Sequence, residues 1–183
     1  DITETIHINK NLTIVGNDAS FLLQKTQTLV EISQNTEVTL INLTFNGNNN
    51  YIMSNKGKLQ LINCTFKDNS FGLINNDGEL EISDCLIQDI NQFYQTRTMN
   101  NDGLIANNGI LTITSTIFNN DNPLPYNFPI ETTTLKGIVY NKGKLTVSDV
   151  NFTNINYRII YNDGEITLDD VLFDNILSTS TYS

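Results

Sequence analysis

The chain has 183 residues, 20 acidic against 10 basic side chains, no tryptophan and a formal net charge of −10. Its length fits one domain, and its acidity argues against nucleic acid or an anionic membrane as partner. No signal peptide is visible, and no apolar run is long enough to span a bilayer.

The first residues already read as strands, in Thr5-Ile6-His7-Ile8 and Leu12-Thr13-Ile14. Asn35-Thr36-Glu37 then leads into Val38-Thr39-Leu40 and Leu43-Thr44-Phe45. From Ile52-Met53 onward a unit recurs: an apolar pair, Asn-x-Gly, apolar-x-apolar, a polar step, and a second apolar-x-apolar. The Asn-x-Gly tripeptide stands at Asn55-Lys56-Gly57, Asn76-Asp77-Gly78, Asn107-Asn108-Gly109, Asn141-Lys142-Gly143 and Asn162-Asp163-Gly164. Period-2 alternation argues strand over helix. Three short strands in about 21 residues fit one winding of a parallel β-helix, and six to seven such windings fill the chain. One unit cannot bury its apolar face alone, whereas stacked units bury a continuous interior. The fold class is therefore an all-β, single-stranded parallel β-helix over 1–183, with residues 177–183 as a possible tail.

Aligned on the glycines, Asn55, Asn76, Asn107, Asn141 and Asn162 fall in one column, and Phe45, Phe66, Phe118, Phe152 and Phe173 in another, with Ile87 filling the vacant place. A stacked asparagine can donate its amide to the next side-chain carbonyl, and the glycine is expected to supply a turn conformation that a Cβ resists. On the flanks, opposite charges adjoin: Lys56 with Asp77, Lys142 with Asp163, Lys144 with Glu165, and Lys58 between Glu37 and Glu79. At strand spacing of about 4.8 Å these pairs favour register more than stability. Cys64 and Cys85 share an inward column. Parallel in-register neighbours match disulfide torsions poorly, so both read as free thiols used as small core residues. Asn11, Asn42, Asn63 and Asn151 open glycosylation sequons.

Glycine spacing stretches from 21 residues to 31 and 34 between Gly78 and Gly143. Two insertions, about 88–102 and 119–136, occur at the same turn of consecutive units. They hold all three prolines and a cluster of rings. Phe93, Tyr94, Arg97, Tyr126 and Phe128 are the candidate ligand patch: the rings could stack on sugars and Arg97 could bond hydroxyls. Equally, the rings could simply cover the side of the column.

These repeats resemble the pectin-lyase-like right-handed parallel β-helices. Among those they are most similar to adhesin-like surface proteins of methanogenic archaea and polymorphic outer-membrane proteins of chlamydiae. Phe71-Gly72-Leu73-Ile74, Asp102-Gly103-Leu104-Ile105 and Lys136-Gly137-Ile138-Val139 approximate the latter group's Gly-Gly-Ala-Ile motif, and Phe45-Asn46-Gly47-Asn48 and Phe66-Lys67-Asp68-Asn69 match its Phe-x-x-Asn. Later copies depart from it, with Ile155 and Ile176 in the asparagine place. The resemblance implies right-handedness and an extracellular or cell-surface location, and leaves function open between adhesins, tail spikes, lyases and hydrolases.

Three readings follow. The first is a non-catalytic structural or adhesin-like module without cofactor or metal, meeting glycans or partner surface proteins through the paired insertions. The second is a polysaccharide lyase or hydrolase. Against it, the outward column Thr39, Gln60, Glu81, Thr112, Thr146, Thr167 holds one carboxylate and no spaced acid pair. Asp149 and Asp170 read as solvated turn residues, and His7 as structural or exposed. The third is a filament subunit that stacks end to end with other copies or neighbouring domains, since no capping helix is evident.

Overall fold

A computed structural model describes residues 4–22, 28–48, 51–69, 72–89, 103–120, 137–155 and 158–176. Short alternating segments make short strands. The chain runs through β1 (Ile6–Ile8), β2 (Leu12–Leu22), β3 (Val30–Ile32), β4 (Glu37–Asn48), β5 (Met53–Asn55), β6 (Lys58–Ile62), β7 (Thr65–Asn69) and β8 (Ile74–Asn76). It continues with β9 (Glu79–Ser83), β10 (Leu86–Gln88), β11 (Ile105–Asn107), β12 (Ile110–Asn119), β13 (Val139–Asn141), β14 (Lys144–Thr153), β15 (Ile160–Asn162) and β16 (Glu165–Asp174). No helix occurs among the described residues.

Two parallel sheets result. One has seven strands in the order β1-β3-β5-β8-β11-β13-β15, which is chain order. The other has nine: β4 pairs with both β6 and β7, and β12 with both β9 and β10, before β14 and β16 follow. Three separate strands per unit were expected. Instead, the two alternating segments lie in the same sheet, and in β4, β12, β14 and β16 they run on as one strand. The join is a single residue at positive φ: Asn42, Asn63, Asp84, Ser115, Asp149 or Asp170, at φ 46 to 55°. Asn and Asp tolerate that left-handed region better than other residues with a Cβ. The polar step is thus a bend that turns the chain without ending its pairing.

The register places like over like. Leu59, Leu80, Leu111, Leu145 and Ile166 are successive partners, as are Phe118, Phe152 and Phe173. Inward side chains interleave from both sheets into one core, which includes Leu59, Leu61, Leu80, Leu111, Phe118 and Phe152, all fully buried. The rings stack in the offset manner aromatic pairs prefer. Centroids are 5.0 Å apart for Phe45–Phe66 and 4.7 Å for Phe118–Phe152, with interplanar angles of 12° and 19°.

The repeating glycine has a different cause from the one its turn position suggests. Gly78, Gly109 and Gly143 are outside the positive-φ set, so no left-handed turn demands them. A Cβ on Gly109 would collide with the carbonyl oxygen of Gly78, and one on Gly143 with that of Gly109. The backbones of successive units approach so closely here that only a hydrogen fits. Gly47, Gly103 and Gly137, at φ +69, +90 and +95°, are the described glycines that do adopt positive φ.

Candidate functional site

The polar column is built by the Asn-x-Gly turn. Each asparagine follows the apolar pair of the seven-stranded sheet, so period 2 points its side chain inward. Asn55, Asn76, Asn107 and Asn141 are buried, and burying an amide costs free energy unless its hydrogen bonds are made. They are made upward. Asn55 Nδ2 donates to Asn76 Oδ1 at 2.8 Å, Asn76 to Asn107 at 2.7 Å, Asn107 to Asn141 at 2.7 Å, and Asn141 to Asn162 at 2.6 Å. Each amide also reaches a carbonyl of the following unit, as Asn107 Nδ2 does to Lys144 at 3.1 Å.

Outer columns are bonded the same way. Thr39 Oγ1 donates to Gln60 Oε1 at 3.1 Å, and Gln60 Nε2 to Glu81 Oε2 at 2.9 Å. Ser115 Oγ donates to Asp149 Oδ2 at 2.9 Å. Lys58 Nζ lies 3.8 Å from Glu37 and 3.6 Å from Glu79. Lys142 and Asp163, however, do not pair directly. The Tyr140 ring intervenes: Lys142 Nζ sits 4.8 Å from its centroid, and the Tyr140 hydroxyl donates to Asp163 Oδ2 at 3.0 Å. His7 Nδ1 is 3.0 Å from Glu31 Oε2 at an exposed site.

Cys64 and Cys85 are free and buried. The Cys64 backbone N–H points at Cys85 Sγ at 3.3 Å, and the Cys85 N–H donates to Thr116 Oγ1, also at 3.3 Å. The side chains of this column therefore accept from the unit before. Hydrogen bonding with Cys64 and then burial push the Cys85 thiol above its ordinary range. Such a thiol is inert packing rather than a nucleophile.

The ligand patch Phe93, Tyr94, Arg97, Tyr126 and Phe128 lies outside the described residues. The feet of both insertions are described. Gln88 pairs with Asn119, and the Asp89 N–H donates to the Asn119 carbonyl at 3.1 Å. At the far side the Leu104 N–H donates to the Gly137 carbonyl at 3.2 Å. The two insertions thus leave and rejoin the sheets from neighbouring strands.

Residues around these feet went unnoticed in the sequence. Tyr51 lies across Gly72, where a Cβ would collide with its ring, and its hydroxyl donates to the Gly103 carbonyl at 3.1 Å. The signal was there to read: Tyr51, Gly72, Gly103 and Gly137 occupy one place, immediately before Ile52, Leu73, Leu104 and Ile138. Asp89 Oδ1 and Asn120 Oδ1, beside the insertions, are buried without a hydrogen-bond partner among the described residues.

Among the described residues no group of three or more His, Cys, Asp or Glu is placed to hold a metal ion. A shallow, open depression of about 450 Å³ lies between the turns of the early units, lined by Asn11, Gln34, Glu37, Lys56, Lys58 and Glu79 among others. Its charges are Lys56 and the Lys58 pairs with Glu37 and Glu79. No protein-family model, curated protein or solved structure matches the chain.

Proposed function

We propose that the chain is a right-handed parallel β-helix of the pectin-lyase-like kind, serving as a non-catalytic display scaffold outside the cell or on its surface. The asparagine column carries this reading. The polar residue repeated most faithfully gives its hydrogen bonds to the next unit, at 2.6 to 2.8 Å, instead of holding them for a ligand. The outward Thr39–Gln60–Glu81 run does likewise. Residues used in this way fix register, which is the work of a scaffold.

A scaffold leaves recognition to its insertions. The described feet of the two insertions are neighbours, and Phe93, Tyr94, Arg97, Tyr126 and Phe128 are the residues of the insertions whose chemistry suits glycans or a partner surface protein. Rings offer a stacking face, and Arg97 offers paired donors. The test is a glycan array probed with the intact chain and with a form whose insertions are cut to the six-residue spacing of the other units. Binding by the intact chain and its loss in the shortened form, with thermal stability kept, is the expected result. Equal binding by both forms rules out the patch, and cleavage of an acidic polysaccharide by the intact chain rules out the scaffold.

A further inference from the structure

The stack treats its four glycosylation sequons differently. Asn11 Oδ1 accepts the Glu37 N–H at 2.9 Å. Asn63 Nδ2 donates to Asn42 Oδ1 at 2.6 Å, and both residues sit at left-handed bends, at φ 51 and 55°. These three amides already tie one unit to the next. Asn151 does not. It lies inside β14, its side chain is exposed, and it makes no side-chain hydrogen bond among the described residues. β14 is flanked by β12 and β16, so this exposure belongs to the outer face of the sheet and not to an end of the stack.

The surroundings of Asn151 say what would fit there. Val150 and Phe152 are fully buried, so strand alternation turns Asn151 outward. Its register partners are Ile117 in β12 and Leu172 in β16, which are 44% and 53% exposed. At a strand spacing of about 4.8 Å, one unbonded amide stands between two bare aliphatic side chains. A sugar ring has an apolar C–H face and a rim of hydroxyls. Joined to that amide, it meets the aliphatic groups with its face and water with its rim.

We propose that Asn151 is a site of N-linked glycosylation, with the first N-acetylhexosamine lying over Ile117 and Leu172. The donor is a lipid-linked oligosaccharide diphosphate. Asn151 Nδ2 bonds to the anomeric carbon, the bond from that carbon to the diphosphate oxygen breaks, the lipid diphosphate leaves, and one amide proton passes to a base of the transferase. Thr153 supplies the hydroxyl that the sequon needs. In the folded unit Thr153 Oγ1 lies 3.1 Å from Asn119 Oδ1 and 3.4 Å from the Phe118 carbonyl, and Phe152 is buried between the two sequon residues. Transfer therefore precedes the stacking of β14 on β12. Stacking then proceeds unhindered, because the glycan stands on the outer face. A bulky, solubilising group at this place shields apolar surface that the fold leaves in water. The inference rests on the reading of the chain as exported, since sequons are used in secreted proteins.

The intact chain is exported from a eukaryotic host behind an added secretion leader, and its peptides are mapped by mass spectrometry with and without peptide N-glycosidase. A hexosamine-bearing adduct at Asn151 in most molecules is expected. Thr153→Ser keeps the adduct, whereas Asn151→Gln and Thr153→Ala lose it. Asn151→Gln leaves the melting temperature of unglycosylated chain unchanged, because the side chain is exposed and unbonded, so its loss of adduct is not a loss of fold. With the glycan trimmed to its first sugar, NMR cross-relaxation between the ring protons and the methyl groups of Ile117 and Leu172 is expected. Absence of an adduct at Asn151, whether or not the other three sequons are occupied, overturns the site. An adduct without those cross-peaks overturns its seat on Ile117 and Leu172. The host exports the chain by the leader it is given, so neither result turns on where the native chain resides. Antibody labelling of intact source cells tests the display reading separately.

Discussion

The unit formed by β11 and β12 and the unit formed by β15 and β16 carry the same pattern and live in different environments. Leu111, Ile113 and Phe118 have no exposed surface, while Ile166, Leu168 and Phe173 are 39 to 47% exposed. Asn107 is buried and Asn162 exposed. Sequence alone does not separate the two units; what separates them is the layer on the far side. Burial here belongs to the stack and not to the residue, as expected where each unit contacts only its neighbours. Equivalent substitutions in the two units therefore test the architecture directly.

The largest difference is expected in the phenylalanine column. Phe118→Ala removes a ring stacked between units and leaves a closed cavity, at a cost of about 3–5 kcal/mol. Phe173→Ala removes a half-exposed ring and costs about 1 kcal/mol. Urea denaturation of both variants measures the gap; equal losses would mean that the last unit is covered in solution. Next comes the glycine column. Gly109→Ala drives a Cβ into the Gly78 carbonyl, a backbone atom that cannot rotate away, and is expected to cost about 3 kcal/mol. Gly164→Ala meets the Gly143 carbonyl, but its unit is free to shift outward, so the loss is smaller.

Parallel, all-β stacking was legible because self-similarity at a fixed period gives both the strands and their register. What the sequence hid were effects that exist only between units. The glycine read as a turn former, since the carbonyl of the preceding unit is 21 to 34 residues away in sequence and invisible until the units stack. Lys142 and Asp163 read as an ion pair because alignment gives a column and not a distance, and the Tyr140 ring takes the space between them. The bend residues Asn42, Asn63, Asp84, Asp149 and Asp170 could have been read as left-handed positions from their chemistry alone. The candidate patch shows the opposite limit: spacing locates an insertion, but irregular sequence has no period from which to place Phe93 or Tyr126.

The asparagine column comes third. Asn107→Ala removes the acceptor for Asn76 Nδ2 and the donor to Asn141 Oδ1 and the Lys144 carbonyl, all in a buried place. Stranded buried groups cost about 1–3 kcal/mol, so a loss near the top of that range is expected. Asn162→Ala strands only Asn141 Nδ2, which keeps the Glu165 and Gly143 carbonyls, and costs about 1 kcal/mol. If both variants lose the same amount, the ladder bonds contribute singly and burial adds nothing.

The smallest effect is expected at Lys58. Its ammonium lies 3.8 and 3.6 Å from two carboxylates, with side chains 40 to 52% exposed. Exposed pairs of that length are worth about 0–1 kcal/mol even in sum. Lys58→Ala is therefore expected to lower stability by about 0.5 kcal/mol at low ionic strength. The deficit should vanish in 1 M salt, where the screening length is about 3 Å. The charge column has a second role that this measurement isolates. A slip of one residue brings Lys58 out of line with Glu37 and Glu79 and turns Leu59 and Leu61 outward. The apolar column penalises the slip far more than the charges do. A loss in Lys58→Ala well above 1 kcal/mol, persisting in high salt, would show instead that the alkyl stem of Lys58 packs on the turn beneath it, and the charge column would then owe its regularity to packing.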